Sequence, residues 1–156
     1  MKVRLLACGT RMPRWVTEGY KDYANRLNAE IRLELQEIPL GRRYKKSGSE
    51  KARAEEGKKM LQAIGKHEQV IALDVSGYSW STEQLAEILQ RWLSDGRDVA
   101  LLVGGPDGLA DDCLARAETK WSLSPLTLPH TLVRILAAEQ VYRAWTLLHN
   151  HPYHRA

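Results

Sequence analysis

The sequence predicts an α/β fold in which helices cover both faces of a mostly parallel sheet, a three-layer α/β/α sandwich. Short apolar segments alternate along the chain with segments of helical period, the pattern of repeated strand-helix units. The segment Val99–Val103 is apolar at every position, as in an interior strand of a parallel sheet. A chain of 156 residues without a linker or internal repeat predicts a single domain, residues 1–156.

The first half of the chain predicts two strands and two helices. Residues 3–8 form an apolar strand that ends at Gly9, and Pro13 stands where a helix can begin. Residues 31–38 alternate apolar and polar side chains, which predicts a half-exposed strand near a sheet edge. Residues 49–64 have a helical period. The first helix places four residues on one face: Trp15, Gly19, Tyr23 and Leu27.

The second half continues the alternation. Residues 70–75 predict a strand, and Ser81-Thr-Glu-Gln84 is a capping box that begins a helix. Gly96 ends that helix. After the strand Val99–Val103 we expect a short helix over residues 111–118, a segment over 122–128 and a final helix over 130–148.

Composition sets broad limits. A net charge of +4 suits a polyanionic partner but is also common among ordinary soluble enzymes. Cys8 and Cys113 lack metal-ligand or Cys-x-x-Cys spacing, which predicts two reduced thiols, no metal site and a cytoplasmic protein. The apolar run 3–8 contains Arg4 and is too short for a signal peptide or a membrane span.

Two loops predict a ligand site. Gly104, Gly105 and Gly108 follow the strand Val99–Val103 and allow the main chain to approach a ligand closely. Ligands of open α/β sheets bind beyond the carboxyl ends of the strands, so this turn and the segment 122–128 are the expected site.

Nucleotide-binding signatures are missing from the sequence. The first strand-helix turn lacks the G-x-G-x-x-G spacing, and no G-x-x-x-x-G-K-[ST] motif occurs, which disfavours a dinucleotide-binding domain and a P-loop. Asp74 closes a strand, where its carboxylate could contact a ribose or could cap the following turn.

A set of ordered motifs resembles a known family. The motifs are Gly9-Thr10-Arg11-Met12-Pro13, Leu101-Leu-Val-Gly-Gly-Pro-Asp-Gly108, Trp121-Ser-Leu-Ser-Pro-Leu-Thr-Leu-Pro-His130, Arg143-Ala-Trp145 and Asn150-His-Pro-Tyr-His-Arg155. With them the chain resembles, over nearly its whole length, the bacterial ribosomal large subunit pseudouridine N3-methyltransferases of the SPOUT class. A lone Gly-Gly-Pro would be a weak signal, whereas this ordered set is specific.

The resemblance implies a fold and a cofactor. The C-terminal segment is expected to thread through an earlier loop and form a deep trefoil knot, which is rare among folds. The family binds S-adenosylmethionine in that knot and works as a homodimer. The cofactor residues expected here are Leu73, Asp74, Gly104, Gly105, Leu123, Ser124, Pro125, Leu126, Thr127 and Leu128.

The acceptor implied by the resemblance is N3 of a pseudouridine in 23S rRNA. This nitrogen carries a proton between two carbonyls, so it is a poor nucleophile until a base accepts the proton. Four titratable candidates are His130, Glu139, His151 and His154, while Arg134 or Arg155 could stabilise developing negative charge. We favour a structural ion pair for Glu139, and helix capping or packing is the alternative role of His130.

The C-terminal tail combines residue types that suit RNA. Tyr153, His154 and Arg155 can stack on bases and contact phosphate, so we expect them in the active site. A solvated chain end is the alternative.

The loop that follows residue 40 is basic and contains one aromatic ring. Arg42, Arg43, Lys45 and Lys46 surround Tyr44, and such a loop can follow a phosphate backbone. We expect these four basic side chains to bind RNA. Because the basic patch is small, the expected substrate is the assembled ribosome rather than free RNA.

The final helix carries more apolar surface than one buried stripe needs, which predicts a homodimer. A central helix covered on two sides within one subunit is the alternative. For function, the alternatives to a methyltransferase are a non-catalytic ribosome-binding protein and a flavodoxin-like redox or nucleotide-binding protein.

Overall fold

The computed structural model describes residues 1–27, 30–44 and 48–155. Five strands alternate with five α-helices, as expected for an α/β fold. The strands are β1 (Lys2–Cys8), β2 (Arg32–Ile38), β3 (Gln69–Tyr78), β4 (Val99–Val103) and β5 (Thr119–Trp121). The helices are α1 (Arg14–Ala24), α2 (Glu50–Ala63), α3 (Thr82–Asp95), α4 (Asp111–Arg116) and α5 (His130–Leu148), followed by a short 3-10 helix (Pro152–His154).

The five strands form one sheet in the order β2-β1-β4-β3-β5, and every pair is parallel. The buried strand β4 lies at the centre and β2 lies at an edge, which confirms both sequence predictions. The sequence did not predict β5, whose three residues Thr119–Trp121 form the other edge.

Helices cover both faces of the sheet, which confirms the three-layer sandwich. Val99, Leu101 and Val103 of β4 pack in a cluster with buried residues of α1, α3 and α5. Ala100 and Leu102 point to the other face and pack with α2 and α4. The alternation of β4 side chains therefore divides the core into two layers, of which the one under α1, α3 and α5 is the larger.

The buried face of α1 differs from the predicted one. Val16, Tyr20 and Ala24 are its buried residues, whereas Trp15 is 54% exposed. Gly19 lies against α5, since a Cβ atom there would meet Ile135 at 2.9 Å. The predicted set is therefore only partly buried: Leu27 is buried and Tyr23 packs against the core, but Trp15 is exposed.

The ends of α3 match the prediction. The side chain of Ser81 accepts a hydrogen bond from Gln84 N at 3.1 Å, and the Gln84 side chain accepts one from Ser81 N at 2.8 Å. Gly96 ends the helix in the left-handed conformation with φ 79°. Within the described parts of the chain, no helix is both long enough and apolar enough to cross a bilayer.

Candidate active site

A pocket of about 350 Å³ lies at the carboxyl end of β4, next to the part of β3 that follows its last pair with β4. Its walls come from three segments: residues 73–75 of β3, the glycine loop (residues 104–108) and the segment 122–128, which we call the Leu loop. The first turn of α5 closes the pocket with His130 and Val133. The volume and the mixture of apolar walls with backbone groups are typical of a small-molecule site.

The glycine loop turns sharply enough that a side chain would not fit at Gly104. A Cβ atom at Gly104 would lie 2.4 Å from the carbonyl carbon of Gly108. Gly108 has φ 79°, which favours glycine, and its N–H donates to the carbonyl of Gly105 at 3.1 Å. The backbone of this loop therefore forms part of the pocket wall directly.

Serine side chains shape the Leu loop. Ser122 Oγ donates to the carbonyl of Ser124 at 2.9 Å, and Ser124 Oγ accepts from the N–H of Leu126 at 3.0 Å. The loop turns back at Ser124 and leaves Leu126 73% exposed. An exposed leucine at the mouth of a pocket offers apolar surface to a ligand.

The structure brings together nine of the ten residues expected to contact a cofactor. Lining the pocket are Leu73, Asp74, Gly104, Gly105, Leu123, Ser124, Leu126, Thr127 and Leu128. Pro125 is exposed and does not belong to the lining. Asp74 does not close a strand as predicted, because β3 continues to Tyr78; its carboxylate accepts from Ser76 N at 3.0 Å.

Sequence reasoning missed several residues of the pocket wall. They are Val75, Val103, Leu109, Trp121, Pro129 and Val133. Most are immediate neighbours of predicted residues, so extending each predicted segment by one or two positions would have found them. Trp121 is buried and stacks on Trp80 with ring centroids 5.5 Å apart, which fixes the base of the Leu loop.

His130 places an imidazole ring on the pocket wall. Burial is the main cause that lowers its pKa below the ordinary value, and the nearby Arg134 cation lowers the pKa further. The ring is therefore neutral at pH 7 and has a nitrogen able to accept a proton. A Cβ atom at Gly9 would lie 3.9 Å from His130 Nε2, so the first strand-helix turn borders this side of the site.

Arg134, one helical turn further along α5, does not line the pocket. Its side chain is only 1% exposed and forms an ion pair with Glu37 at 2.7 Å. Its Nη2 donates to the carbonyls of Cys8 at 3.1 Å and Gly9 at 2.6 Å. The expected catalytic contact of Arg134 is replaced by a structural one, because these three acceptors occupy the guanidinium inside the protein.

A protein-family profile described as Predicted SPOUT methyltransferase matches residues 1–154. The chain belongs to the SPOUT methyltransferase family. It is 64% identical over 156 residues to the ribosomal RNA large subunit methyltransferase H of Alkalilimnicola ehrlichii, covering 100% of both chains. It is 55% identical over 155 residues to the protein of the same name from Hahella chejuensis, covering 99% of each.

Solved structures support the fold assignment. A probable methylase family protein from Haemophilus influenzae aligns with a TM-score of 0.55 at 13% identity, covering 96% of this chain and 67% of that chain. A probable methyltransferase from Bordetella pertussis aligns with a TM-score of 0.53 at 14% identity, covering 91% and 95%. Membership of a methyltransferase family disfavours both the non-catalytic and the flavodoxin-like alternatives.

In this SPOUT methyltransferase the tail does not meet the pocket of its own chain. Tyr153 Oη donates to Glu139 Oε1 at 2.9 Å, and the Tyr153 and Tyr142 rings lie 4.7 Å apart. Glu139 is nine residues beyond His130, about 14 Å along the helix axis. Tyr153, His154 and Arg155 thus lie beside the distal half of α5 and outside the pocket lining.

The ion pair expected for Glu139 is present. Arg143 Nη2 lies 2.6 Å from Glu139 Oε1, and Tyr153 shares the same carboxylate oxygen. Burial and this hydrogen bond raise the pKa of Tyr153, so its hydroxyl remains protonated.

The basic loop divides into residues with different surroundings. Arg42 is exposed and its guanidinium lies 5.5 Å from the centre of the Tyr44 ring. Arg43 is instead paired with Glu56 and Asp107, so we do not propose that it binds RNA. Lys45 and Lys46 lie outside the described residues. Across the described ranges, no group of three or more His, Cys, Asp or Glu side chains could hold a metal ion.

Proposed function

We propose that this SPOUT methyltransferase transfers the methyl group of S-adenosylmethionine to N3 of a pseudouridine in 23S rRNA. The observation that carries the proposal is the pocket between the glycine loop and the Leu loop, at the strand ends where ligands of α/β sheets bind. The names of two relatives more than half identical to the chain supply the class of RNA.

The pocket suits S-adenosylmethionine by its chemistry. Leu123, Leu126 and Leu128 provide apolar surface for the faces of an adenine ring, while backbone groups of both loops can bind its polar edge. Asp74 can contact the ribose, because it lines the pocket even though its carboxylate also accepts a hydrogen bond from Ser76 N. When bound, the cofactor supplies a methyl group activated by a positively charged sulfur.

His130 is the residue proposed to accept the proton of the acceptor nitrogen. Its imidazole is neutral because burial and Arg134 lower its pKa, and it borders the pocket where the target base must enter. Transfer of the N3 proton to the ring would leave an electron pair on N3 for the new bond to the methyl carbon, as the carbon–sulfur bond breaks and its electron pair stays on the sulfur. Binding both reactants in the correct orientation, in a site shielded from water, supplies the rest of the rate enhancement.

We further propose a homodimer in which the partner completes the site. Trp15 is 54% exposed, and Leu132 and Leu136 are each 36% exposed, on the first halves of the two packed helices α1 and α5. We call these three residues the apolar strip; Leu132 and Leu136 lie on the same helix as His130, which lines the pocket. A second copy packed on it would bring its own Tyr153, His154 and Arg155 to the RNA, which one chain alone does not do.

We also propose the trefoil knot, in which the segment from the Leu loop to α5 passes through an earlier loop. Family membership supports it. A knot would hold two loops rigidly against one another around a cofactor, at the cost of slow refolding.

We propose that Arg42 binds RNA. For Lys45 and Lys46 the same proposal rests on the sequence alone. A net charge of +4 supports only a limited number of phosphate contacts, so we propose the assembled ribosome in the cytoplasm as the substrate.

Titration calorimetry with S-adenosylmethionine tests the pocket. The variant Leu126→Ala removes exposed apolar surface from the pocket mouth and is expected to weaken binding about tenfold without loss of stability. Tyr78→Ala is the matched control, because Tyr78 is 69% exposed but does not line the pocket. Absence of binding by the unaltered protein would reject the proposed function.

A further inference from the structure

One arginine connects three segments on the outer side of the glycine loop. Arg43 Nη1 donates to Glu56 Oε2 at 2.9 Å and to the carbonyl of Gly41 at 3.2 Å. Its Nε donates to Asp107 Oδ2 at 3.0 Å, and its Nη2 lies 2.9 Å from the same oxygen. The guanidinium therefore joins the chain after β2 to α2 and to the glycine loop.

Glu56 lies directly behind the glycine loop. Its side chain is only 2% exposed, and its Oε2 accepts hydrogen bonds from both Arg43 and the N–H of Gly41. Its Oε1 lies 3.4 Å from the position of a Cβ atom on Gly105. A buried carboxylate needs its cation, so displacement of Arg43 toward an RNA phosphate would leave Glu56 unpaired at the back of the pocket.

The chain segment that carries Arg43 is itself held in place. A Cβ atom at Gly41 would lie 2.2 Å from the carbonyl oxygen of Ala52, so the backbone after β2 packs directly on α2. Leu40 approaches the glycine loop from the same side, 3.0 Å from the Cβ position of Gly105. The backbone that carries Arg43 is thus held in place, and the side chain extends from it to Asp107.

We propose that Arg43 and Glu56 are positioning residues that hold the glycine loop in its cofactor-binding shape, with Asp107 as the point of attachment. A glycine-rich loop has large conformational freedom, and fixing it before binding lowers the entropy lost when the cofactor binds. The inference rests on the proposed cofactor site. The proposal gives two neighbouring arginines different roles: Arg42 is available to bind RNA, whereas Arg43 affects cofactor binding through the glycine loop.

Calorimetry with S-adenosylmethionine measures the effect. Arg43→Met and Asp107→Asn are expected to raise Kd about tenfold, because each releases the loop from its attachment. The Kd of Arg43→Lys is expected to lie between theirs and that of the unaltered protein. One ammonium group cannot donate all the hydrogen bonds that the planar guanidinium donates to two carboxylates. Arg42→Met removes the same charge one residue earlier and is expected to leave Kd within about twofold.

A second readout needs no cofactor. In the free protein, hydrogen exchange at the amides of Gly105, Gly108 and Leu109 is expected to accelerate in Arg43→Met and Asp107→Asn but not in Arg42→Met. The double variant of Arg43 and Asp107 is expected to bind no more weakly than Arg43→Met alone, because both changes break the same connection.

The outcomes separate this inference from the proposed function. If the unaltered protein does not bind S-adenosylmethionine, the proposed function is wrong. If it binds while Asp107→Asn and Arg43→Lys keep its Kd and its exchange rates, the positioning role is wrong. Asp107→Asn changes a side chain that is 35% exposed and preserves the pair of Arg43 with Glu56, so this variant gives a result even where Arg43→Met does not fold.

Discussion

His130 and Arg134 lie one turn apart on α5, but their surroundings give them different roles. His130 borders the pocket, where partial burial keeps its imidazole neutral. Arg134 is buried and bound to Glu37 and to two backbone carbonyls near the end of β1. The arginine therefore fixes the start of α5 against the sheet, and its charge helps to lower the pKa of the histidine beside it.

Replacing His130 is expected to change both rate and pH dependence. His130→Gln should lower kcat about 10² to 10⁴-fold, the usual contribution of a general base, with little change in cofactor Kd. Because folding lowers the pKa of His130 from 6.5, the unfolded chain binds its proton first as pH falls. The free energy of unfolding should thus decrease below about pH 6.5, and this part of the decrease should disappear in His130→Gln.

Urea denaturation from pH 5.5 to 8 and an NMR titration of the ring measure these effects. A ring that titrates at or above pH 6.5 in the folded protein would contradict this description of His130.

Replacing Arg134 is expected to reduce stability. Arg134→Met leaves the carbonyls of Cys8 and Gly9 without this donor, which should lower the free energy of unfolding by about 3 kcal/mol. Arg14→Met is the control: its ion pair with Glu18 is 90% exposed on the arginine side, so the loss should be below about 0.5 kcal/mol. Equal losses in the two variants would show that the buried arginine has no special structural role.

At the scale of elements, α5 connects the pocket to the tail. Its first turn forms part of the pocket wall, and its distal half holds the 3-10 helix Pro152–His154 through Glu139 and Tyr142. The tail is thereby ordered on its own chain before any RNA arrives, which suits its proposed role at the pocket of a second copy.

Removal of residues 153–156 is expected to abolish methylation while the cofactor Kd stays within about twofold, because the tail does not line its own chain's pocket. Tyr153→Phe is the matched control. It keeps the ring packed on Tyr142 and loses only the hydrogen bond to Glu139, so it should retain most activity. A truncated protein with full activity would exclude the tail from the site.

Elements with strong local signals could be predicted from the sequence, and contacts between distant residues could not. The uniform apolar run of β4 and the capping box of α3 gave correct boundaries because both are local patterns. The strand β5, Thr-Lys-Trp, is too short and polar to show alternation. The sequence suggested that Arg43 binds RNA, because its ion-pair partners could not be recognised from the sequence. These partners, Glu56 and Asp107, lie 13 and 64 residues away along the chain.

The pocket followed the same rule. Turn glycines at a strand end predicted where the pocket lies, whereas the individual lining residues, nine of which the structure brings together, were expected from the resemblance to the family. The burial of Arg134 was not visible, because its acceptors on Glu37, Cys8 and Gly9 come together only through packing of α5 on the sheet.

At the scale of the whole molecule, the apolar strip of Trp15, Leu132 and Leu136 is the basis for the proposed dimer. Leu136→Glu places a charge on this strip and is expected to shift the protein from dimer to monomer at micromolar concentration in sedimentation experiments. Gln90→Glu adds the same charge on an exposed position of α3 and should leave the dimer intact. A monomer in the unaltered protein would reject the dimer.

The central claim is that the pocket between the two loops serves methyl transfer to pseudouridine N3. Its most direct test is incubation of the purified protein with methyl-labelled S-adenosylmethionine and free 23S rRNA, large subunits or assembled ribosomes, followed by nuclease digestion and mass spectrometry. We expect one labelled N3-methylpseudouridine, formed with assembled ribosomes and formed far more slowly by His130→Gln. A label on another atom or base, or none in any of the three substrates, would contradict it.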